Sequence, residues 1–172
     1  MLDIPVDFPQ LKTLYETLAN RFGDALLEGR FEKQELTVKI KKEELLPVLN
    51  FLKSEQGFNA LNDMIGLDNF PPAGEDKKRF SILYQLYKFP AYTRIRIAVD
   101  VGEEETVDSI CAVYKSANWA EREIFDMFGI PFSGHPDLRR IYLPEDFDGF
   151  PLRKDFPLEG KDLEGNGLEG RS

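Results

Sequence analysis

One cysteine, Cys111, and one histidine, His135, are all that this 172-residue chain offers to soft-metal chemistry. A single thiol closes no intrachain disulfide, and the two together fall short of the ligand sets that hold structural zinc, haem or an iron–sulfur cluster. Long apolar runs are missing as well: nothing approaches the roughly 18 consecutive apolar residues of a spanning helix. Positive charge is scarce, since 22 Lys and Arg stand against 31 Asp and Glu, a net charge of −9. Nucleic-acid phosphate and anionic lipid are therefore not expected partners. The start, Met1-Leu-Asp-Ile-Pro-Val-Asp7, has no basic segment followed by an apolar block, so no targeting peptide is expected and the chain reads as cytosolic. What is present, 42% hydrophobic and 31% charged residues, suits one globular domain. At this length a fold buries roughly two-thirds of its unfolded surface and needs no covalent staple.

Hydrophobic spacing predicts the elements. Leu11, Leu14, Tyr15, Leu18 and Phe22 share one face of a helix, with Asp7 and Gln10 as a capping box, Pro9 in the first turn and Gly23 as the stop. Leu36, Val38 and Ile40 alternate with polar residues in a strand paired with residues 25–31. A second helix is expected over residues 43–56, closed by Gly57, then a strand over 58–67 and a polar loop over 68–79. Phe80–Phe89 is apolar on both faces, and Tyr92–Val101 alternates, which predicts a mid-sheet hairpin. Acidic residues 103–105 followed by Val107, Ile110 and Tyr114 predict a helix. A separate helix is expected over 118–128, with Asn118 and Glu121 as capping box and Gly129 as terminator. The fold class is α/β of the α+β type: a mixed, largely antiparallel sheet of about four to five strands with helices packed on it, followed by an extended Pro/Gly-rich C-terminal arm.

Residues 131–172 hold five of the 11 prolines and six of the 13 glycines. Yet Phe132, Leu138, Ile141, Tyr142, Leu143, Phe147, Phe150, Leu152, Phe156 and Leu158 are spread along them, more apolar surface than an extended arm can bury against itself. The expected division is a domain over 1–130, an arm over 131–158 lying on that domain or on another protein, and a disordered tail over 159–172 with its Leu-Glu-Gly repeats. The domain is expected to fold without the arm.

No constellation reads as an active site. Gly165-Asn-Gly-Leu-Glu-Gly170 matches a dinucleotide fingerprint formally but has neither a preceding buried strand nor a following helix. Glu121, Arg122, Glu123 and Asp126 read as a structural charge network rather than acid/base groups. His135, between Gly134 and Pro136, reads as a turn brace, and Cys111 as a small core residue. Arg139-Arg140 and Arg153-Lys154-Asp155, set among aromatics and prolines, have the composition of protein–protein anchors.

The stretch Ala117-Asn-Trp-Ala-Glu-Arg-Glu-Ile-Phe-Asp-Met-Phe-Gly-Ile-Pro-Phe-Ser-Gly-His-Pro-Asp-Leu-Arg-Arg140, with Leu143-Pro-Glu-Asp-Phe and Pro151-Leu-Arg-Lys-Asp-Phe-Pro157, closely resembles the C subunit of respiratory complex I, the proton-pumping NADH:quinone oxidoreductase. The resemblance implies a peripheral subunit with no cofactor and no catalytic or metal-binding residue of its own, the FMN, iron–sulfur clusters and quinone belonging to partner subunits. It implies packing against other complex I subunits, chiefly the quinone-site subunit, which the extended arm over 131–158 would wrap, on the cytoplasmic face of a bacterial inner membrane, without membrane insertion, nucleic acid or obligate homo-oligomerisation. It assigns Trp119, Glu121, Arg122, Glu123, His135, Asp137, Leu138, Arg139, Arg140, Arg153, Lys154 and Asp155 to the domain–arm junction and the partner contact. The alternatives are an equivalent subunit of a membrane-bound [NiFe] hydrogenase and a free-standing enzyme working through the carboxylates of residues 121–126.

Overall fold

The computed structural model describes residue 2, residues 4–72 and residues 78–157. Helix α1 (Pro9–Phe22) buries Leu11, Leu14 and Leu18, a one-face spacing of three and four residues. Strands β1 (Leu26–Glu32) and β2 (Glu35–Ile40) form an antiparallel hairpin. Helix α2 (Leu45–Ser54) follows, then β3 (Ala60–Asp68), β4 (Phe80–Lys88) and β5 (Thr93–Val101). The five strands lie in the order β1-β2-β5-β4-β3, with β2 and β5 parallel and every other pair antiparallel. Two short strands, β6 (Val107–Asp108) and β7 (Phe132–Ser133), pair on either side of helix α3 (Ala117–Phe128). The expected α+β class, with its mixed, mainly antiparallel sheet, is what the chain forms.

All three helices share one face of the sheet. Leu36, Val38, Ile82, Tyr84, Ile97 and Val99 point into a single apolar cluster that also takes Leu14, Leu49, Leu52, Ile124 and Phe128 from the helices. Contact is close at both edges: a Cβ added to Gly29 would lie 2.5 Å from the Tyr15 ring of α1, and one added to Gly66 would lie 2.9 Å from Phe128 of α3. Phe80 pairs edge-on with Phe128, ring centroids 6.5 Å apart.

Local expectations fail at four places. Helix α1 starts after Phe8 without a side-chain cap, so Asp7 and Gln10 form no box, although Pro9 opens the helix and Gly23 (φ +40°) ends it. Helix α2 is shorter than residues 43–56, because Lys42–Glu44 form a 3₁₀ turn before it; Pro47 sits in the first turn of the α-helix, where its missing N–H costs nothing. No helix forms at 107–114. Val107 N–H donates to Pro131 O and Ser109 N–H to Ser133 O, so the chain joins a β ladder, and the helical spacing is satisfied by one turn closed by Tyr114 N–H to Ile110 O. Val107, Ile110, Val113 and Tyr114 are still all buried. Finally, α3 starts at Ala117 with no side-chain cap, because Glu121 faces the interior instead of Asn118. Its other end is as expected: Gly129 is left-handed (φ +74°) and its N–H closes on Phe125 O. The expected strand over 58–67 is β3, and the loop after it lies partly, and the Leu-Glu-Gly repeats wholly, outside the described residues.

Candidate functional site: the junction of helix α3 and the arm

Among the described residues after Gly129, up to 157, the chain has almost no regular structure, and it is held down by buried carboxylates. Asp126 of α3 is fully buried. Its Oδ2 accepts the N–H groups of Ile141 (3.0 Å), Tyr142 (2.7 Å) and Leu143 (3.1 Å), and its Oδ1 accepts Arg140 Nη1 at 3.2 Å. Burial pushes this carboxyl upward, but the three backbone donors and the Arg140 charge outweigh it and hold the group below the usual carboxylate range. Arg140 also donates from both terminal nitrogens to Gly149 O, at 3.4 and 3.2 Å, and lies over the rings of Phe147 and Phe150. Arg153 also lies over Phe150, 4.5 Å from its centroid, and donates Nε to Phe128 O at 2.6 Å. The helix terminator is part of this packing, since a Cβ on Gly129 would fall 2.5 Å from the Phe150 ring.

A second carboxylate fastens the end of the arm. Asp68, at the end of β3, accepts Lys154 N–H at 2.9 Å and Phe70 N–H at 3.0 Å. Arg79, 7% exposed, pairs with Asp68 (3.3 Å), Glu103 (2.6 Å) and Asp155 (2.5 Å). Here too burial raises the Asp68 carboxyl, and the Lys154 N–H and Arg79 bonds bring it below its ordinary value.

Glu121 lies in a third polar knot. Its Oε1 accepts Ile110 N–H at 2.7 Å, which braces the turn before α3. Burial dominates and pushes its carboxyl above the usual range despite those bonds. Cys111, half-buried, approaches Glu121 Oε2 at 3.5 Å, and burial pushes its thiol up. With His135 these side chains place a sulfur, an oxygen and a nitrogen within 4.8 Å of one another, so Cys111 has neighbours that its sequence position does not announce. The donor chemistry is that of zinc, but the imidazole is committed elsewhere. Asp137 N–H donates to His135 Nδ1 at 3.0 Å, which leaves the ring proton on Nε2, facing Asn118 O at 3.1 Å. A metal on Nε2 would need that proton removed and Nδ1 turned into a donor against an N–H, the opposite of the outer-shell bond that metal-bound imidazoles make. The knot is built as a brace for the 109–137 turns.

The remaining residues face outward. Trp119 is 55% and Tyr142 60% exposed. Arg122 lies over the Trp119 ring at 5.3 Å and donates to the carbonyls of Arg139 (3.1 Å) and Arg140 (3.3 Å), while the Tyr142 hydroxyl sits 3.5 Å from Glu123. Arg139 is exposed and paired with Asp137 at 3.0 Å. The twelve residues singled out from sequence therefore divide. Trp119, Arg122, Glu123, Asp137 and Arg139 shape an outer face. Glu121, His135, Arg140, Arg153 and Asp155 spend their polar groups inside the chain, Lys154 does so through its N–H, and Leu138 packs on the core. Sequence spacing shows Asp126 only as a member of a charge network, and it does not single out Asp68, Arg79 or Glu103.

The site is thus a two-layer α/β domain whose irregular C-terminal arm is pinned to it by buried carboxylates, with an aromatic and arginine-bearing face left outside and Glu121 and Asp126 spent on internal bonds. The sequence matches the family described as respiratory-chain NADH dehydrogenase, 30 Kd subunit, over residues 38–162, and the chain belongs to that family. The C subunit of NADH-quinone oxidoreductase from Geotalea uraniireducens is 43% identical over 148 residues, 86% of this chain and 88% of that one. Its counterpart in Trichlorobacter lovleyi is 44% identical over 146 residues, covering 84% and 88%. Among solved structures, a trypsin-resistant fragment (1–134) of Nqo5 superposes with a TM-score of 0.66 at 29% identity, covering 75% of this chain and 99% of the fragment. A chain of the membrane-bound sulfane sulfur reductase, an archaeal respiratory membrane complex, shares the fold with a TM-score of 0.72 at 17% identity, covering 87% and 86%.

Proposed function

We propose that this chain serves an NADH:quinone oxidoreductase of the complex I type as a cofactor-free peripheral subunit that supports the quinone-site subunit while electrons pass from NADH to quinone. The observation that carries the reading is the outer face of Trp119, Arg122, Arg139 and Tyr142, because exposed Trp, Tyr and Arg on a fixed frame are the residue types that dominate protein–protein affinity. The buried carboxylates fix that frame, so little ordering entropy is lost when a partner docks. Among the described residues, the buried carboxylates are engaged in other bonds: Asp126 and Asp68 are saturated by N–H and guanidinium donors, and Glu121 is closed off from solvent, which favours a supporting rather than a catalytic role. No helix among the described residues is long and apolar enough to cross a membrane, as a peripheral place on the cytoplasmic side requires. The relatives named as oxidoreductase subunits support this assembly over a hydrogenase, which no feature of the site favours.

The test is a double substitution, Trp119→Ala with Tyr142→Ala, made in the intact complex. The isolated variant should melt within a few degrees of the parent, as surface substitutions do, while native gels show loss of assembled complex and of NADH-driven quinone reduction. Full assembly in the double variant would sink the reading.

A further inference from the structure

Three residues other than glycine have a left-handed backbone among the described residues: Lys33 (φ +49°), Gln34 (φ +65°) and Tyr92 (φ +56°). All three line one furrow at the end of the sheet where β2 and β5 begin, between the β1–β2 turn, the tip of the β4–β5 hairpin and Phe8 before α1. Lys33 and Gln34 make the two-residue turn from Glu32 to Glu35, a turn that demands positive φ at both positions and accepts Asn and Gly there with least strain. Tyr92 carries a bulky ring on a backbone where such a residue is an outlier, and that ring faces solvent, 66% exposed beside Phe89 at 55%. Tyr92 meets Phe89 and Tyr87 edge-on, with centroids 5.5 and 6.1 Å away. Asn59 fixes the tip, accepting Phe89 N–H at 3.1 Å and donating to Phe89 O at 2.9 Å. Strain of this kind gathers where function uses it.

The charge at this tip is opposite to that of the chain. Residues 80–99 carry Lys88, Arg94 and Arg96 and no acidic residue, in a protein of net charge −9. Lys33 and Lys88 enter no ion pair among the described residues, and Glu35 serves both Arg96, at 2.7 Å, and Arg94, at 3.8 Å. We propose that this end of the sheet is a second docking surface, built from elements that the Trp119 face does not use, and that it receives an acidic segment of a partner subunit. Carboxylates of that segment meet Lys33 and Arg94, and an apolar side chain between them packs on Phe89 and Tyr92. An uncharged occupant would bury those cations without partners, so the segment must bring the acid. An anionic lipid surface would also meet the cations, but it repels the acidic remainder of the chain. Exposed Tyr and Arg are residue types that carry protein–protein affinity, and a tip already braced by Asn59 loses little freedom on docking.

The Lys33 amine tests this in the assembled complex, because acetic anhydride acetylates it and a carbodiimide joins it as an amide to a carboxylate in contact. Lys33 should be acetylated at least tenfold more slowly in the purified complex than in the free full-length chain, and the carbodiimide should join it to Asp or Glu residues of one partner segment. Tyr92→Gly separates docking from fold. Relieved of its left-handed strain, the isolated variant should melt no lower than the parent, while Lys33 in its complex should lose most of the protection. A variant that melts far lower, or that keeps full protection in the complex, overturns the role given to the ring. Equal acetylation in the two states overturns the proposal, as does protection with amide links only to Glu32 or Glu35 of the same chain. Links between two copies of the free chain, rising with concentration, replace the partner by a second copy. Protection present in native membranes and lost on detergent extraction replaces it by a lipid surface. In the complex of the Trp119→Ala, Tyr142→Ala variant, full assembly with Lys33 still protected sinks the reading of the Trp119 face and leaves this one standing.

Discussion

The layer of sheet and helices and the arm that follows it are held by different physics. The layer is bound by area: Leu14, Leu49, Ile82, Ile97 and their neighbours are fully or nearly fully buried and meet one another without directional demands. The arm is bound by direction: the chain runs from β7 to the three N–H groups that Asp126 gathers at 141–143, and each fastening is one acceptor meeting named donors. A core of the first kind tolerates exchange of one apolar residue for another, whereas Asn, nearly the same shape as Asp126, would turn one of its two acceptor oxygens into an NH2 facing donors. The arm therefore stands or falls with two aspartates.

The largest effect should fall on both regions at once. Ile97→Ala, in the centre of β5, should destabilise the whole domain by about 2–5 kcal/mol, lowering melting and denaturant midpoints of sheet and arm together. Asp126→Ala should cost somewhat less, about 2–3 kcal/mol, because the arm can lift off and return its N–H groups to water. Its signature is selective: trypsin should cut at Arg139, Arg140 or Arg153 long before the sheet is lost. If the Asp126 variant unfolds as one unit, the arm belongs to the core and the contrast fails.

Acid should reproduce that variant. Asp126 and Asp68 both have folded-state pKa values below their ordinary ones, so each contributes stability that is complete above about pH 4, the unfolded carboxylate range, and is lost as pH falls through the lower folded values. A protease active in acid should cleave the arm increasingly below about pH 4 while the sheet's far-ultraviolet signal persists. Uniform loss of both would assign the acid sensitivity elsewhere. The smallest effect is expected from Arg140→Lys, which keeps the charge beside Asp126 but not the second contact to Gly149 or the planar cover of Phe150. A loss of about 1 kcal/mol confined to arm protection would fit, and no change would show that the ring stacking is incidental.

The same contrast explains what the sequence reveals. Alternation in 36–40 and 93–101, the two-sided apolar run at 80–88 and the glycine after α3 mark the sheet and its helices because burial by area leaves a periodic trace. At 107–114 the same trace misleads, since a single turn closed from Tyr114 to Ile110 buries the residues a helix would. Directional fastenings leave no period. Asp68 meets Lys154 across 86 positions, and Asp68 and Arg79 stand at opposite ends of what reads as a polar loop. Arginines beside aromatics do not give the address of their contacts, because Arg140 and Arg153 both lie over Phe150 of their own chain while Arg139 faces out. Glu121 is legible as structural but not as buried, since a cap and an interior brace use the same residue type.

Amide hydrogen exchange, residue by residue, on the isolated full-length chain tests most directly whether the arm is pinned to its own domain. The N–H groups of Ile141, Tyr142, Leu143 and Lys154 should be strongly protected although no helix or strand contains them. In Asp126→Ala the first three should exchange at least tenfold faster while β5 is unchanged. Unprotected exchange at 141–143 in the parent chain, or protection that survives loss of the Asp126 carboxylate, would contradict the account.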